Sequence, residues 1–199
     1  VAPGSEKSMN QGLVYVFNGE GKGKTTASMG LALRGAGHGM KIFIVQFMKI
    51  GYTGEVLALR KFGIPITFES FNVECKNQAE HDTEIIEGTF KGYCRDCFVP
   101  TEFDNSLATS AFERGRNAVL GGEYDLVIFD ELNVAMNKNL VDIPTVKKML
   151  QDKPAHTEIV LTGRNAPEEI LEAADYITVM TLKKHPYMKQ IYARKGIEF

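Results

Sequence analysis

The chain has 199 residues, 44% of them hydrophobic and 24% charged, which is the balance of an ordinary globular protein long enough for one full α/β core. Its 23 basic and 25 acidic side chains leave a net charge of −2, which excludes the strong positive field that gathers nucleic acid or an anionic membrane surface and points to small-molecule partners. No apolar run approaches the roughly 18 residues of a membrane helix, and the N-terminus lacks a signal-peptide pattern, so the expected compartment is the cytoplasm.

Residues 1–10, small or polar for the most part, are expected to form a flexible arm or a tag remnant, leaving residues 11–199 as a single domain. The apolar run at 13–17 predicts a strand, and after the glycine- and lysine-rich stretch that follows, residues 25–36 predict a helix ending in the turn Gly37-His38-Gly39. Residues 41–47 are apolar on both faces and predict a buried parallel strand, whose last residues, 46–49, face the crevice where open α/β sheets bind ligands. A short helix at 55–62, capped by Gly63, leads to a strand at 64–68 with Pro65 at its start.

From 71 to 105 the periodicity breaks down, and this insertion holds all three cysteines and many aromatic residues. A segment of that length in a compact domain is usually functional or disordered, and its aromatic content argues against simple disorder. Helical spacing returns at 106–120 and stops at Gly121-Gly122. A fully apolar strand at 126–129 runs into Asp130-Glu131, Pro144 opens a helix over 145–150, and a strand at 158–161 closes on Thr162-Gly163-Arg164. A helix at 167–174 and a last core strand at 176–180 complete the series. The alternation predicts an α/β domain of P-loop NTPase-like, Rossmann-like type, with a mostly parallel sheet and helices on both faces.

Asn18-Gly19-Glu20-Gly21-Lys22-Gly23-Lys24-Thr25-Thr26, set between strand and helix, marks a phosphate-binding loop. Glycines let successive backbone N–H groups curl toward phosphate oxygens, and the helix that follows adds its positive end. Lys24 is expected to reach the outer phosphates and Thr25 to hold magnesium, while Lys22 adds a second positive charge. The first glycine position of the usual pattern is taken by Asn18, and since Asn tolerates positive φ best after Gly, the turn is expected to survive there.

Asp130 at the end of a buried strand is placed to hold magnesium, directly or through water, beside Thr25. Taken alone an acidic pair after a strand is more often a helix N-cap; after a phosphate loop the metal reading leads. Glu131 reads as a second metal ligand or a water-activating base. Arg164 lies on the ligand-facing edge and is expected to contact phosphates, the alternative being a surface arginine paired with a nearby carboxylate. Lys183-Lys184-His185-Pro186 reads as a solvated loop or a second side of the nucleotide pocket. In the insertion, Cys75, His81, Cys94 and Cys97 offer a ligand set for a structural zinc or iron, with ordinary reduced thiols as the alternative.

The loop, the Gly37-His38-Gly39 turn, Val45-Gln46-Phe47-Met48-Lys49, Ile128-Phe129-Asp130-Glu131-Leu132, Thr162-Gly163-Arg164 and the ending Ala193-Arg194-Lys195-Gly196-Ile197-Glu198-Phe199 resemble the phosphate-loop class of ATP:corrinoid adenosyltransferases. The resemblance spans about residues 12–199 apart from the insertion. It implies transfer of the 5′-deoxyadenosyl group of ATP to the cobalt of a reduced corrinoid with release of triphosphate, on a loop that holds ATP in a reversed sense. It further implies that residues 21–26 bind the triphosphate, that Thr25 and Glu131 engage magnesium, that Arg164 contacts the nucleotide, and that the protein is a homodimer served by a source of electrons such as a reductase. Bulky apolar side chains after the third strand would exclude the lower axial ligand of cobalt; this chain has no Trp, and Phe71 is the first choice among its aromatics because it lies nearest the strand end. The remaining readings are a phosphate-loop ATPase or kinase with another substrate, and an ATP-sensing binding module.

Overall fold

The computed structural model describes residues 11–48, 53–71, 80, 83–84, 102–189, 191, 194 and 196–197. The expected N-terminal arm, the set Cys75, His81, Cys94 and Cys97, and most of the insertion lie outside these residues. Six strands, β1 (Val14–Asn18), β2 (Ile42–Phe47), β3 (Ile66–Phe71), β4 (Leu126–Asp130), β5 (Glu158–Thr162) and β6 (Tyr176–Val179), form one sheet in the order β3-β2-β4-β5-β1-β6, and every pairing is parallel. Between them run α1 (Lys24–Gly37), α2 (Gly54–Phe62), α3 (Glu102–Leu120), α4 (Leu132–Asn137), α5 (Ile143–Asp152) and α6 (Glu168–Leu171). Parallel strands need such crossovers, so the α/β alternation of the sequence and the sheet topology are one constraint.

Strand alternation divides the core into two halves. On one face Ile42, Ile44, Leu126, Ile128 and Val160 pack beneath Met29 and Ala32 of α1. On the other, Phe43, Val45, Phe47, Val127, Phe129, Ile159 and Leu161 pack beneath α3, α4 and α5. Each fully buried aliphatic side chain of this kind stabilises by about 1.5–3 kcal/mol, so the central strands β2 and β4, buried along their whole length, anchor the domain. Helix α3 comes so close to the sheet at Gly115 that a Cβ there would sit 2.3 Å from the Phe129 ring and 2.9 Å from Val45 Cγ1. Pro144 stands in the first turn of α5, where Asp142 caps the helix by accepting from Thr145 N at 3.0 Å.

Several elements differ from expectation. Strand β3 begins at Ile66 and continues to Phe71, which pairs with Phe47, so the insertion starts one residue later than its periodicity implied. Helix α3 begins at Glu102, inside the expected insertion. Helix α4 was not anticipated, and α6 is only four residues long. The last strand is not a core strand. Tyr176, Ile177 and Val179 are 53%, 49% and 58% exposed, because the strand order puts β6 outside β1 at the sheet edge. Its best contact is the stack of Tyr176 on Tyr15, with ring centroids 4.8 Å apart and planes 4° from parallel. Burial, followed by the nearby Glu158 carboxylate, raises the Tyr15 hydroxyl above the usual tyrosine range.

Candidate active site

The loop between β1 and α1 turns on Gly19 (φ +103) and Gly23 (φ +108). Asn18 does not carry a positive φ; it is the last residue of β1, so the turn expected at that position is displaced to Gly19. The Asn18 side chain is used instead as an acceptor, with Ala166 N donating to its Oδ1 at 3.1 Å. The loop leans on the residue after β6: Gly21 N donates to Met180 O at 2.6 Å and Met180 N to Asn18 O at 2.8 Å. A Cβ on Gly19 or on Gly21 would meet Met180 O at 2.6 Å, so packing requires both glycines, and turn geometry requires Gly19 as well. Lys24, 8% exposed, folds its ammonium back onto the carbonyls of Gly19 (2.6 Å) and Gly21 (2.8 Å). Lys22 and Thr26 are exposed. Helix α1 has no side-chain cap and no acid in its own first turn, and its positive end is directed at the loop.

Behind the loop lies a buried polar row. Gln46, next to last in β2, and Asp130 and Thr162, the last residues of β4 and β5, are all fully buried, and strand alternation places Gln46 and Asp130 on the α1 face after Ile44 and Ile128. Asp130 Oδ1 accepts from Thr25 Oγ1 at 2.9 Å and from Thr162 Oγ1 at 2.7 Å, and its Oδ2 accepts from Gln46 Nε2 at 2.8 Å. Thr162 Oγ1 in turn accepts from Glu131 N at 3.0 Å. The contact through Thr25 joins the first turn of α1 to the end of β4. Gln46 Oε1 is buried with no hydrogen-bond partner. Met48 (φ 53) and Glu131 (φ 66), just past the ends of the paired strands β2 and β4, both hold left-handed backbone. Such residues cost about 1–3 kcal/mol each and gather at functional sites.

A carboxylate, a hydroxyl and an orphaned amide oxygen are hard donors that suit magnesium, which needs only one or two protein carboxylates when substrate phosphates complete its shell. Among the described residues no group of three or more His, Cys, Asp or Glu forms a metal site on its own.

Arg164 projects from a turn with positive φ at Gly163 (137) and Asn165 (50). Asn137 Nδ2 serves the carbonyls of Arg164 (3.1 Å) and Asn165 (2.6 Å) as well as that of Asn133 (2.8 Å), fixing the turn to the end of α4. The guanidinium Nη1 lies 3.2 Å from Glu20 Oε2, so its partner carboxylate belongs to the phosphate loop itself. Phe71, half-buried against the core, ends β3 four strands away from β1, about 19 Å at the usual spacing of about 4.8 Å. Lys183 and Lys184 are exposed. Gln46 and Thr162 were expected on the ligand-facing edge but given no role, and Asn137 was not anticipated; the glutamine near the end of an otherwise apolar strand was the signal available for the first.

The family model described as ATP:corrinoid adenosyltransferase BtuR/CobO/CobP matches residues 10–199. A corrinoid adenosyltransferase of Sinorhizobium sp is 34% identical over 200 residues, covering 97% of this chain and 83% of the relative. One from Pseudomonas aeruginosa is 31% identical over 194 residues, 95% of this chain and 84% of the relative. The corrinoid adenosyltransferase CobA of Salmonella typhimurium is 27% identical over 192 residues, 95% of this chain and 86% of the relative.

Proposed function

The chain belongs to the ATP:corrinoid adenosyltransferase family, and from that premise we propose that it transfers the 5′-deoxyadenosyl group of ATP to the reduced cobalt of a corrinoid and releases triphosphate. The observation that carries this reading beyond family membership is the hydrogen bond from Thr25 to Asp130, which sets a phosphate loop and a strand-end carboxylate against each other at one point.

The reaction asks little covalent chemistry of the protein. The electron pair of reduced cobalt attacks C5′ of the ribose, the cobalt–carbon bond forms, the C5′–O bond breaks, and its electron pair departs on triphosphate. The attacking atom carries no proton, so no general base is required and Glu131 is not needed as one. The enzyme's part is alignment and charge. Lys22 and Lys24 of the loop and Arg164 beside it would bring three cations to the triphosphate, and the positive end of α1 would add to them. Magnesium, held by Thr25 Oγ1 with the carboxylates of Asp130 and Glu131, would supply further neutralisation of the leaving charge. Phe71 stands on the same carboxyl edge of the sheet, distant enough from the loop for a nucleoside to lie between, which suits an apolar contact with the corrinoid.

The same reading assigns the protein to the cytoplasm with a reductase as electron source, and its homodimer to the exposed apolar edge of β6. Among the described residues no helix is long and apolar enough to cross a membrane. The test is anaerobic incubation with ATP, magnesium and chemically reduced cobalamin, following the light-sensitive cobalt–carbon spectrum and identifying the phosphate product. Adenosylcobalamin with triphosphate is expected. ADP without a cobalt–carbon bond would replace this reading with an ATPase or kinase.

A further inference from the structure

Glu20 is the single acid in residues 18–26, a stretch otherwise made to receive an anion. It stands between two glycines, and its carboxylate meets Arg164 Nη1 at 3.2 Å. The two partners are held very differently along their lengths. The backbone of the Arg164 turn is fixed from three sides: Asn137 Nδ2 takes the carbonyls of Arg164 and Asn165, Asn18 Oδ1 takes Ala166 N, and a Cβ on Gly163 would lie 2.8 Å from Asn133 Cβ. The side chains themselves are open to solvent, 60% exposed for Arg164 and 53% for Glu20. The backbone of the turn is held in place while the side chain is free to exchange partners. An exposed ion pair of this kind is weak, and a polyphosphate chain offers the same guanidinium several charged oxygens in place of one carboxylate.

We propose that Glu20 is a resident counterion: its carboxylate holds Arg164 beside the loop, yields it to the triphosphate chain of ATP, and takes it back when triphosphate leaves. This rests on the nucleotide reading above and adds to it a residue whose role is to weaken polyphosphate binding and hasten release. Asn18 shares in it by tethering the phosphate loop to the turn that carries Arg164, so the exchange takes place at fixed spacing. Glu20 touches no reacting atom in this scheme; it positions Arg164.

The experiment is calorimetric titration of ATP, and separately of inorganic tripolyphosphate, both with magnesium, into the full chain and its E20Q, R164A and E20Q/R164A variants. Thermal melts of all four establish that each is folded. No corrinoid is present, so the result is independent of adenosyl transfer. E20Q is expected to tighten both ligands by about two- to fivefold, and in the R164A background the same change is expected to have less than about a 1.5-fold effect. Unchanged or weaker binding by E20Q overturns the proposal, as does equal tightening with and without Arg164, which would make Glu20 only part of the general field. Failure of the unaltered chain to bind either ligand overturns the nucleotide reading together with this one, whereas binding that ignores Glu20 overturns this one alone.

Discussion

Asp130 accepts three hydrogen bonds from neutral donors while fully buried, which makes its charge and its shape separable by substitution. In an Asp130→Asn variant the threonine hydroxyls keep one acceptor oxygen, and Gln46 turns its amide so that the orphaned Oε1 takes the new N–H. Stability should therefore fall by about 1–3 kcal/mol, since turning Gln46 carries its Nε2 into the buried position where Oε1 now has no partner. Adenosyl transfer should fall by about 100-fold or more, because the charge that steadies a metal beside the phosphates is gone. Melting curves and initial rates on the same preparation check both halves. A loss below about 1 kcal/mol would mean that the turned amide finds an acceptor there. The loop lysines, Thr25 and Asp130 were legible because their chemistry requires those residue types at that spacing. The roles of Gln46, Thr162 and Asn137 were not, because a buried amide or hydroxyl acquires its role only from the neighbour that folding brings to it, 84 residues away in the case of Gln46 and Asp130.

At the scale of elements, the tightest approach is that of α3 to β4 at Gly115. A Gly115→Ala change gains helix propensity of about 1 kcal/mol, yet pushes a methyl into Phe129 and Val45, for which overpacking costs typically about 1–3 kcal/mol. Neither ring nor branched side chain is a flexible end that swings aside, so a net loss is expected, read as a fall in melting temperature of about 2–4 °C per kcal/mol. An unchanged or raised melting temperature would show that the helix shifts to make room. The central strands were plain in sequence because residues 42–45 and 126–129 are unbroken apolar runs. Helix α4 was not, since it has only six residues and starts behind Glu131, whose left-handed backbone no propensity favours. Strand β6 looked like core because its side chains are those of a core strand; only the sheet order shows that it stands outside.

For the whole molecule, that edge matters most. Tyr176, Ile177 and Val179 present apolar surface on a parallel strand whose outer side is unpaired among the described residues, an arrangement that folded proteins normally cover. If a second copy covers it, Ile177→Lys should shift the protein from dimer to monomer in light scattering with little change in melting temperature, since the residue is already half exposed. A dimer that persists would place the interface elsewhere. The same edge bears on recognition through Met180, which follows β6 and takes the Gly21 N–H. One directional donor of the loop is thereby committed to the protein, and the work of recognition falls more heavily on the charged side chains of Lys22, Lys24 and Arg164. A cradle of aimed amides distinguishes anions by shape; a cradle of lysines responds to charge density and to ions in the medium. Tripolyphosphate affinity should accordingly fall several-fold on raising monovalent salt from about 50 to about 200 mM, with the Debye length dropping from about 14 to about 7 Å. The protein would then be tuned less to the outline of its nucleotide than to the ionic climate in which it meets it.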